Sequence, residues 1–211
     1  MDQCKIRFFA GSVRKRRLRV DFHKPDNVVD LGEDDHLVGH IQFLFGGNTF
    51  ISGGKPNTPA PVKLECRMAS IGGRVVWGEG STSNGAQIVT AGNETEILIG
   101  RDCMFAQDIW VRNSDMHGIF DLESGDLLNP SANVMISDHV WVGQESIVLK
   151  GSTIGGGSII GARSLVSGAQ PARALILGAP AKVHREGVSW SRSLEPSAAE
   201  VQRVKSLLTP T

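Results

Sequence analysis

His117 is the residue of this sequence best suited to move a proton, and it lies in the segment NSDMHG. An unperturbed imidazole has a pKa of about 6.5, so it is mostly neutral at pH 7 and accepts a proton from an attacking nucleophile. Asn113, Ser114 and Asp115 precede it, and their polar groups either orient the imidazole and contact a substrate or simply form a turn. The same residues also fit an ordinary surface loop in which the histidine has no catalytic role.

A six-residue repeat predicts the scaffold for these candidates. Aliphatic residues recur at intervals of six at Ile136, Val142, Val148, Ile154, Ile160 and Val166. Small residues recur between them, with serine at Ser146, Ser152, Ser158 and Ser164 and glycine at Gly143, Gly155 and Gly161. Neither helices nor hairpins have this period, whereas a triangular coil with three short strands per turn does. The pattern therefore predicts an all-β, parallel β-helix with one inward aliphatic side chain per strand.

The repeat is interrupted between Val111 and Ile136. Ile99, Phe105 and Val111 continue the register upstream, but the next step, from Val111 to Ile136, is twenty-five residues and not a multiple of six. Residues 112–135 are therefore predicted to form a protruding loop, which carries His117 beside the coil. Before about residue 97 only short strand-like segments between glycines remain, and these indicate degenerate coils.

The C-terminal segment has a helical pattern. SLEPSAAEVQRVKSLL begins with Pro-Ser and places Val201, Val204, Leu207 and Leu208 on one face, which predicts a short amphipathic α-helix. We expect residues 1–190 to form one β-helix domain. Residues 191–211 are expected to form a helical tail that packs against the coil end or a neighbouring copy.

Composition narrows the classes of function. Twenty-two basic residues balance twenty-two acidic ones, so no net field attracts nucleic acid or a membrane surface, and the basic run at 14–19 is expected to be solvated. Three cysteines without C-x-x-C spacing argue against a disulfide framework or a structural zinc site and favour a reducing compartment. The sequence also lacks an apolar stretch long enough to span a membrane and the order of a signal peptide, so we expect a cytoplasmic protein.

Three segments together resemble the hexapeptide-repeat acyltransferases, in particular bacterial sugar and capsule O-acetyltransferases. They are VRNSDMHGIFDLESGDLLNP, ISDHVWVGQESIVLKGSTIGGGSIIGARSLVSG and LGAPAKVHRE, within roughly residues 95–190. The ordered combination of loop histidine, HVW rung, G-A-x-S rung and G-x-P-A-K turn is specific, whereas hexapeptide repeats alone indicate only the fold. The resemblance implies a left-handed β-helix that assembles as a homotrimer. It also implies direct transfer from acetyl-CoA, bound between subunits, to a hydroxyl of a surface polysaccharide or its sugar precursor.

The resemblance assigns roles to individual residues. His117 would be the general base, and Trp141, which points outward because it precedes the inward Val142, would meet it at the thioester end of the coenzyme. Asn113 and Asp115 are candidate contacts to the saccharide. The residues implied to bind coenzyme A are Trp141, Gln144, Ala162, Ser167, Gly168, Pro180, Lys182 and Arg185. At Gly168 this chain departs from the family, in which lysine is common at that position.

Two other classes of function fit parts of the pattern. The same base and coenzyme track would serve an N-acetyltransferase acting on an amino sugar or another small amine. A metal-binding or non-catalytic β-helix is a third class, because some β-helix enzymes are carbonic anhydrases with three metal-binding histidines. In this region only His117, in the interrupting loop, and His139, in the repeat itself, precede the closing turn, and His139 is expected to form a structural hydrogen bond, so no metal is expected.

Overall fold

A computed structural model describes residues 4–8 and 17–209, so residues 14–16 of the basic run lie outside the described residues. The described residues form twenty-one strands and one helix. In chain order these are β1 (Lys5–Phe8), β2 (Leu18–Phe22), β3 (Val28–Leu31), β4 (Leu37–Phe43), β5 (Thr49–Ser52), β6 (Val62–Ala69), β7 (Arg74–Trp77), β8 (Thr82–Ser83), β9 (Ala86–Ala91), β10 (Glu96–Ile99), β11 (Met104–Phe105), β12 (Ile109–Arg112), β13 (Val134–Ile136), β14 (Trp141–Val142), β15 (Ile147–Val148), β16 (Thr153–Ile154), β17 (Ile159–Ile160), β18 (Leu165–Val166), β19 (Ala169–Gln170), β20 (Ala174–Gly178), β21 (Ala181–Glu186) and α1 (Ala198–Leu207).

The strands stack into three sheets, one for each face of a triangular coil. Sheet A contains β1, β3, β5, β7, β10, β13, β16 and β19, and sheet B contains β2, β4, β6, β9, β12, β15 and β18. Sheet C contains β8, β11, β14, β17, β20 and β21, and among the named strands only β20 and β21 pair in antiparallel fashion in the described part of the chain. From β7 onwards each coil runs through sheets A, C and B in turn, which defines an A–C, a C–B and a B–A corner. The chain is thus the predicted left-handed parallel β-helix.

The six-residue ladder forms the core of the second half of the solenoid. Each of its six aliphatic side chains is at most 2% exposed. Ile136 pairs with Ile154, eighteen residues later, and Val142 pairs with Ile160. Burying such side chains in columns is the main stabilising contribution, about 1.5–3 kcal/mol for each. The upstream register is confirmed as well, because Ile99 pairs with Ile136 across the interruption.

Small residues recur at the corners for two physical reasons. A Cβ on Gly143 would lie 2.7 Å from the backbone nitrogen of Ala162 in the next coil, so the coils stack this closely only with glycine there. The four recurring serines are buried, and their hydroxyls form hydrogen bonds with backbone groups at or beside the corners. Ser146 Oγ, for example, donates to the Gly161 carbonyl at 2.9 Å.

In the first half, the strands β1 to β6 alternate between sheets A and B alone, and some of them are longer than those of the regular repeat. β6 has eight residues, and the paired residues Val28 and Thr49 are twenty-one positions apart rather than eighteen. The extra residues enlarge the corners, which removes the six-residue period from the sequence. The coils before residue 97 are therefore degenerate in sequence and continuous with the rest in structure.

The interruption of the repeat occupies a B–A corner. β12 ends at Arg112 and β13 begins at Val134, so the loop comprises residues 113–133, slightly less than predicted. A short hairpin forms its outer part, since Phe120 bridges Leu127 and the Leu128 amide donates to the Ile119 carbonyl at 2.7 Å. The loop is therefore an ordered excursion from the solenoid.

The C-terminal segment runs back along the solenoid. The C-terminal strap, residues 187–193, crosses successive A–C corners in the direction opposite to the coils. The Val188 amide donates to the Arg173 carbonyl at 2.9 Å, and Ser189 Oγ donates to the Gly157 carbonyl at 2.9 Å. Helix α1 follows and lies beside the same corner rather than at the coil end, while its predicted alternative packing against a neighbouring copy stays a prediction. None of the helices in residues 4–8 and 17–209 has the length and apolar character needed to cross a membrane.

Candidate active site

The imidazole of His117 is exposed on the loop and carries no hydrogen bond from the described residues. Its backbone is held instead, because Asn129 Nδ2 donates to the His117 carbonyl at 2.9 Å. Met116, directly before it, has a positive φ of 68° and its amide donates to Ser114 Oγ at 3.1 Å. The loop thus presents an imidazole on a fixed backbone with both ring nitrogens available to a substrate.

Asp115 helps to fix the base of the loop. Its carboxylate lies 2.6 Å from Lys150 Nζ and accepts a hydrogen bond from Asn129 Nδ2 at 2.8 Å. The Lys150 ammonium, with the hydrogen bond from Asn129, lowers the pKa of Asp115. Lys150 also donates to the Asn129 carbonyl at 2.8 Å. Asp115 is still partly exposed, so its predicted contact to a saccharide stays a prediction.

Asn113 lies at the root of the loop and is completely buried. Its Oδ1 accepts from the Ala91 amide and its Nδ2 donates to Thr95 Oγ1, both at 2.9 Å. A similar buried polar arrangement occurs in earlier coils, where Asn48 Oδ1 accepts from Ser70 Oγ at 2.8 Å. The structure therefore gives the Asn113 amide a role in anchoring the loop, while its predicted contact to a saccharide stays a prediction.

Trp141 points outward from sheet C, as its place before Val142 predicts. Its side chain is 36% exposed, and on the sheet it lies between Met104 and Ile159. Its ring is tilted by 51° against Trp190 of the C-terminal strap, with 6.2 Å between the centroids. One side of the indole is therefore packed within the chain and the rest is free for a ligand.

Trp141 and His117 are positioned by different parts of the triangular coil. The loop leaves the solenoid at the B–A corner, whereas sheet C lies on the opposite face. No hydrogen bond or ring contact joins the loop to Trp141 among the described residues. Within one chain, the structure does not show the predicted meeting of the two side chains.

The predicted coenzyme-binding residues divide between two corners. The turns that contain Gln144 and Ala162 are stacked at the C–B corner, where the Arg163 amide donates to the Gln144 carbonyl at 2.8 Å. The turn before Pro180 comes next, because the Gly178 amide donates to Ser164 Oγ at 3.1 Å. Ser167 and Gly168 lie at the B–A corner, on the same side as the loop root. Gly168 has a positive φ of 67°, which a lysine at this position would adopt only with strain.

Two of the predicted cations lie on the closing hairpin of β20 and β21. Lys182 pairs with Leu177 beside the turn, and Arg185 pairs with Leu175 further along the hairpin. Both side chains are exposed, and neither has a carboxylate within ion-pair distance in the part of the chain that the structure describes. They are therefore available to bind an anion.

A buried cluster around His139 was only partly predicted from the sequence. Its Nδ1 lies 2.9 Å from Asp102 Oδ2, and its Nε2 lies 3.1 Å from the Trp190 carbonyl. Both ring nitrogens of His139 thus face oxygen atoms within hydrogen-bond distance. The predicted structural hydrogen bond of His139 is present, whereas the sequence offered no periodic signal for Trp190.

Asp102 is the acidic centre of this cluster. Its Oδ1 accepts from Arg192 Nη2 at 3.2 Å, and its Oδ2 lies 3.4 Å from Arg203 Nη1. Burial alone would raise the pKa of Asp102, but His139 and Arg192 outweigh burial and lower it to about 2. The ionised carboxylate thus holds the strap and α1 on the solenoid.

The remaining histidines do not assemble a metal site in the described ranges. His40 contacts Asp21 at 3.0 Å, and His23 lies 3.3 Å from Gln42 Nε2. No group of three or more His, Cys, Asp or Glu side chains within residues 4–8 and 17–209 is arranged to hold a metal ion.

Comparison with known proteins yields relatives but no matching family model. The chain is 36% identical over 127 residues to the polysialic acid O-acetyltransferase of Escherichia coli O1:K1, covering 60% of this chain and 41% of that protein. It is 34% identical over 128 residues to the polysialic acid O-acetyltransferase of Neisseria meningitidis, covering 60% of this chain and 57% of that protein. The chain thus spans about half the length of the curated relatives it matches.

A solved structure extends the similarity over nearly the whole chain. The crystal structure of the polysialic-acid-specific acetyltransferase NeuO superposes with a TM-score of 0.84 and 27% identity, covering 98% of this chain and 88% of that one. The similarity thus includes the degenerate N-terminal coils and the C-terminal segment, which the sequence motifs do not cover. The resemblance of this chain to the hexapeptide-repeat acyltransferases is confirmed in both sequence and fold.

Proposed function

We propose that this protein transfers the acetyl group of acetyl-CoA to a hydroxyl of a saccharide, with His117 as the general base. The observation that carries the proposal is its similarity to polysialic acid O-acetyltransferases, which extends to the fold of NeuO. The exposed, unbonded imidazole of His117 supports it, because a general base needs a ring nitrogen that is free to meet the substrate. A polysaccharide is the proposed class of acceptor.

The C–B corner and the closing hairpin fit a coenzyme with an amide-containing arm and phosphates. The stacked turns at Gln144 and Ala162 lead to the turn at Pro180 and offer backbone groups to the arm. Lys182 and Arg185 then supply two exposed cations without carboxylate partners among the described residues, which suits phosphate. Trp141 would contact the thioester end.

His117 would act on the acceptor hydroxyl as its oxygen bonds to the thioester carbonyl carbon. The imidazole takes the hydroxyl proton while the oxygen–carbon bond forms, and it returns this proton to the sulfur as the carbon–sulfur bond breaks. The proton therefore passes from the acceptor hydroxyl to the coenzyme sulfur within one complex that contains both substrates. The protein forms no covalent bond to the acetyl group. The hydrogen bond from Asn129 to the His117 carbonyl holds the backbone of the loop and so keeps the imidazole in position during the transfer.

We also propose that the site is completed between copies of the chain, in a homotrimer. Support comes from the separate positions of His117, at a B–A corner, and Trp141, on sheet C. The loop also exposes large apolar side chains, which an interface would cover. They are Met116, Ile119, Phe120, Leu122, Leu127 and Leu128, each between 42% and 91% exposed.

An acceptor panel tests the proposed reaction. The purified protein is incubated with acetyl-CoA and with polysialic acid, neutral polysaccharides, monosaccharides or amino sugars, while free thiol release is followed. We expect thiol release that depends on a polysaccharide, with the new acetyl group on oxygen by NMR. Acetylation of nitrogen would instead support the N-acetyltransferase alternative, and absence of acceptor-dependent release across the panel would contradict the proposal.

A further inference from the structure

The C-terminal strap contacts four successive coils at the A–C corner. Its residues reach the corner turns at Arg173, Gly157, His139 and Asp102 in that order. Each step along the strap thus meets the preceding coil of the solenoid. These contacts fix the position of each strap residue along the axis of the solenoid.

Trp190 is the most tightly held residue of the strap. Its ring stacks on His139 at 4.3 Å between centroids with 9° between planes, and it is 7% exposed. The pair is also joined by two hydrogen bonds, because Trp190 Nε1 donates to the His139 carbonyl at 2.8 Å and the Trp190 carbonyl faces His139 Nε2 at 3.1 Å. The orientation of the Trp190 indole is therefore set by its partner.

Arg192 secures this arrangement two residues later. Its guanidinium lies over the Trp190 ring, 5.4 Å from the centroid, and donates to Thr82 Oγ1 at 2.8 Å and to Asp102 Oδ1 at 3.2 Å. Asp102 in turn bonds His139. Arg192, Asp102, His139 and Trp190 thus form a closed set of contacts in which each fixes the next.

Within this set of four residues, Trp190 is the one whose ring contacts Trp141. The Trp190 and Trp141 centroids are 6.2 Å apart with 51° between the ring planes, a tilted pair whose spacing lies within the range of favourable aromatic contacts. Trp141 lies two residues after His139, so both rings contact Trp190 from the same stretch of chain.

We propose that Trp190 is a positioning residue for Trp141. The strap holds the indole of Trp141 in the orientation in which its exposed side receives the thioester end of acetyl-CoA. This inference rests on the proposed function for the identity of the ligand. The contacts that carry it, however, lie entirely within one chain.

The test combines coenzyme binding with the accessibility of Trp141. Trp190→Ala should raise the Kd for acetyl-CoA about three- to tenfold by calorimetry, and Trp190→Phe, which keeps an aromatic contact, should restore most of the affinity. Acrylamide should quench the fluorescence of Trp190→Ala more strongly than that of Trp190→Phe. This increase should disappear when Trp141→Phe is added to Trp190→Ala, which assigns it to Trp141.

Matched controls separate positioning from general loosening. Ser189→Ala removes a strap hydrogen bond one coil away, and Leu194→Ala changes a fully exposed neighbour of the strap. Both should keep the parent Kd. If Trp190→Ala does not fold, Arg192→Ala, which removes one of the contacts to the same ring, takes its place in both measurements.

The outcomes distinguish the two proposals. A parent protein that does not bind acetyl-CoA contradicts the proposed function, while the quenching series still reports whether Trp190 holds Trp141. A parent that binds acetyl-CoA, together with a folded Trp190→Ala variant whose Kd is within twofold and whose quenching is unchanged, overturns only the positioning role.

Discussion

Nδ1 of His139 lies 2.9 Å from Oδ2 of Asp102, and the two side chains are 1% and 10% exposed. The residues are thirty-seven positions apart in the chain and meet because they occupy adjacent turns at the same corner. Each also contacts the C-terminal strap. The pair therefore joins two coils and the strap at a single buried point.

Stability should depend on the ionisation of Asp102. Its pKa is lowered to about 2 in the folded protein, so the carboxylate contributes stability above its unfolded pKa of about 4, and this contribution is lost as the pH falls towards 2. The contribution at neutral pH should be about 2 kcal/mol. Urea unfolding between pH 7 and pH 2 measures it.

Two variants check the assignment to Asp102. Asp102→Asn should lower the free energy of unfolding at pH 7 and flatten its decrease in acid. Asp138→Asn, at an exposed pair with Arg101, should keep the acid dependence of the parent. If the free energy of unfolding falls as steeply with decreasing pH in Asp102→Asn as in the parent, other carboxylates cause the acid sensitivity.

His117→Ala should slow the chemical step and leave coenzyme binding intact. We expect kcat to fall about 10²–10⁴-fold with little change in the Kd for acetyl-CoA, because a general base acts in the transition state. The measurements are steady-state rates with the acceptor found in the panel and calorimetry with acetyl-CoA. His23→Ala, which changes an exposed histidine of the first coils, is the control. A rate within threefold of the parent for a folded His117→Ala variant would exclude this role.

Lys182 and Arg185 should bind phosphate groups of the coenzyme. The double variant Lys182→Ala/Arg185→Ala should weaken acetyl-CoA binding by about 1–3 kcal/mol, the range of charge-assisted hydrogen bonds. Binding is measured at moderate salt to reduce nonspecific attraction. Lys63→Ala/Arg67→Ala removes the same charge from exposed positions on sheet B and should not change the Kd. An equal loss in both double variants would mean that only net charge matters.

Asn113 and Asp115 should differ in their contributions to stability. Asn113→Ala leaves the Ala91 amide and Thr95 hydroxyl without their buried partner and should cost about 2–3 kcal/mol. Asp115→Ala breaks a partly exposed ion pair and should cost less than about 1 kcal/mol. Chemical denaturation gives both values. A stable Asn113→Ala variant with a raised KM for the saccharide would favour direct substrate contact instead.

The exposed loop should mediate self-association. Leu122 is 91% exposed in the single chain, so Leu122→Asp should leave the fold of each copy intact while it lowers the molar mass in light scattering from three chains towards one. Leu194→Asp places the same charge at a fully exposed position directly after the strap and should keep the parent mass. A parent protein that is monomeric at micromolar concentration would contradict the trimer.

The sequence by itself determined the regular part of this protein. A six-residue period specifies which side chain of each short strand points inward, because the geometry of the coil is local and repeats. The ladder from Ile136 to Val166, the outward direction of Trp141 and the protrusion of the His117 loop all follow from that register. The closing turn at Pro180 was recognised because its motif is continuous in the chain.

Only the tertiary structure decided what the stacked corners bring together. Asp102 and Arg192 are ninety residues apart, and nothing in the period relates a coil turn to a strap that runs in the opposite direction. The buried role of Asn113 in anchoring the loop and the separation of His117 from Trp141 likewise depend on which corner each residue occupies. Such contacts depend on how many residues the preceding corners and loops contain, whereas a local repeat determines only the face on which each side chain lies.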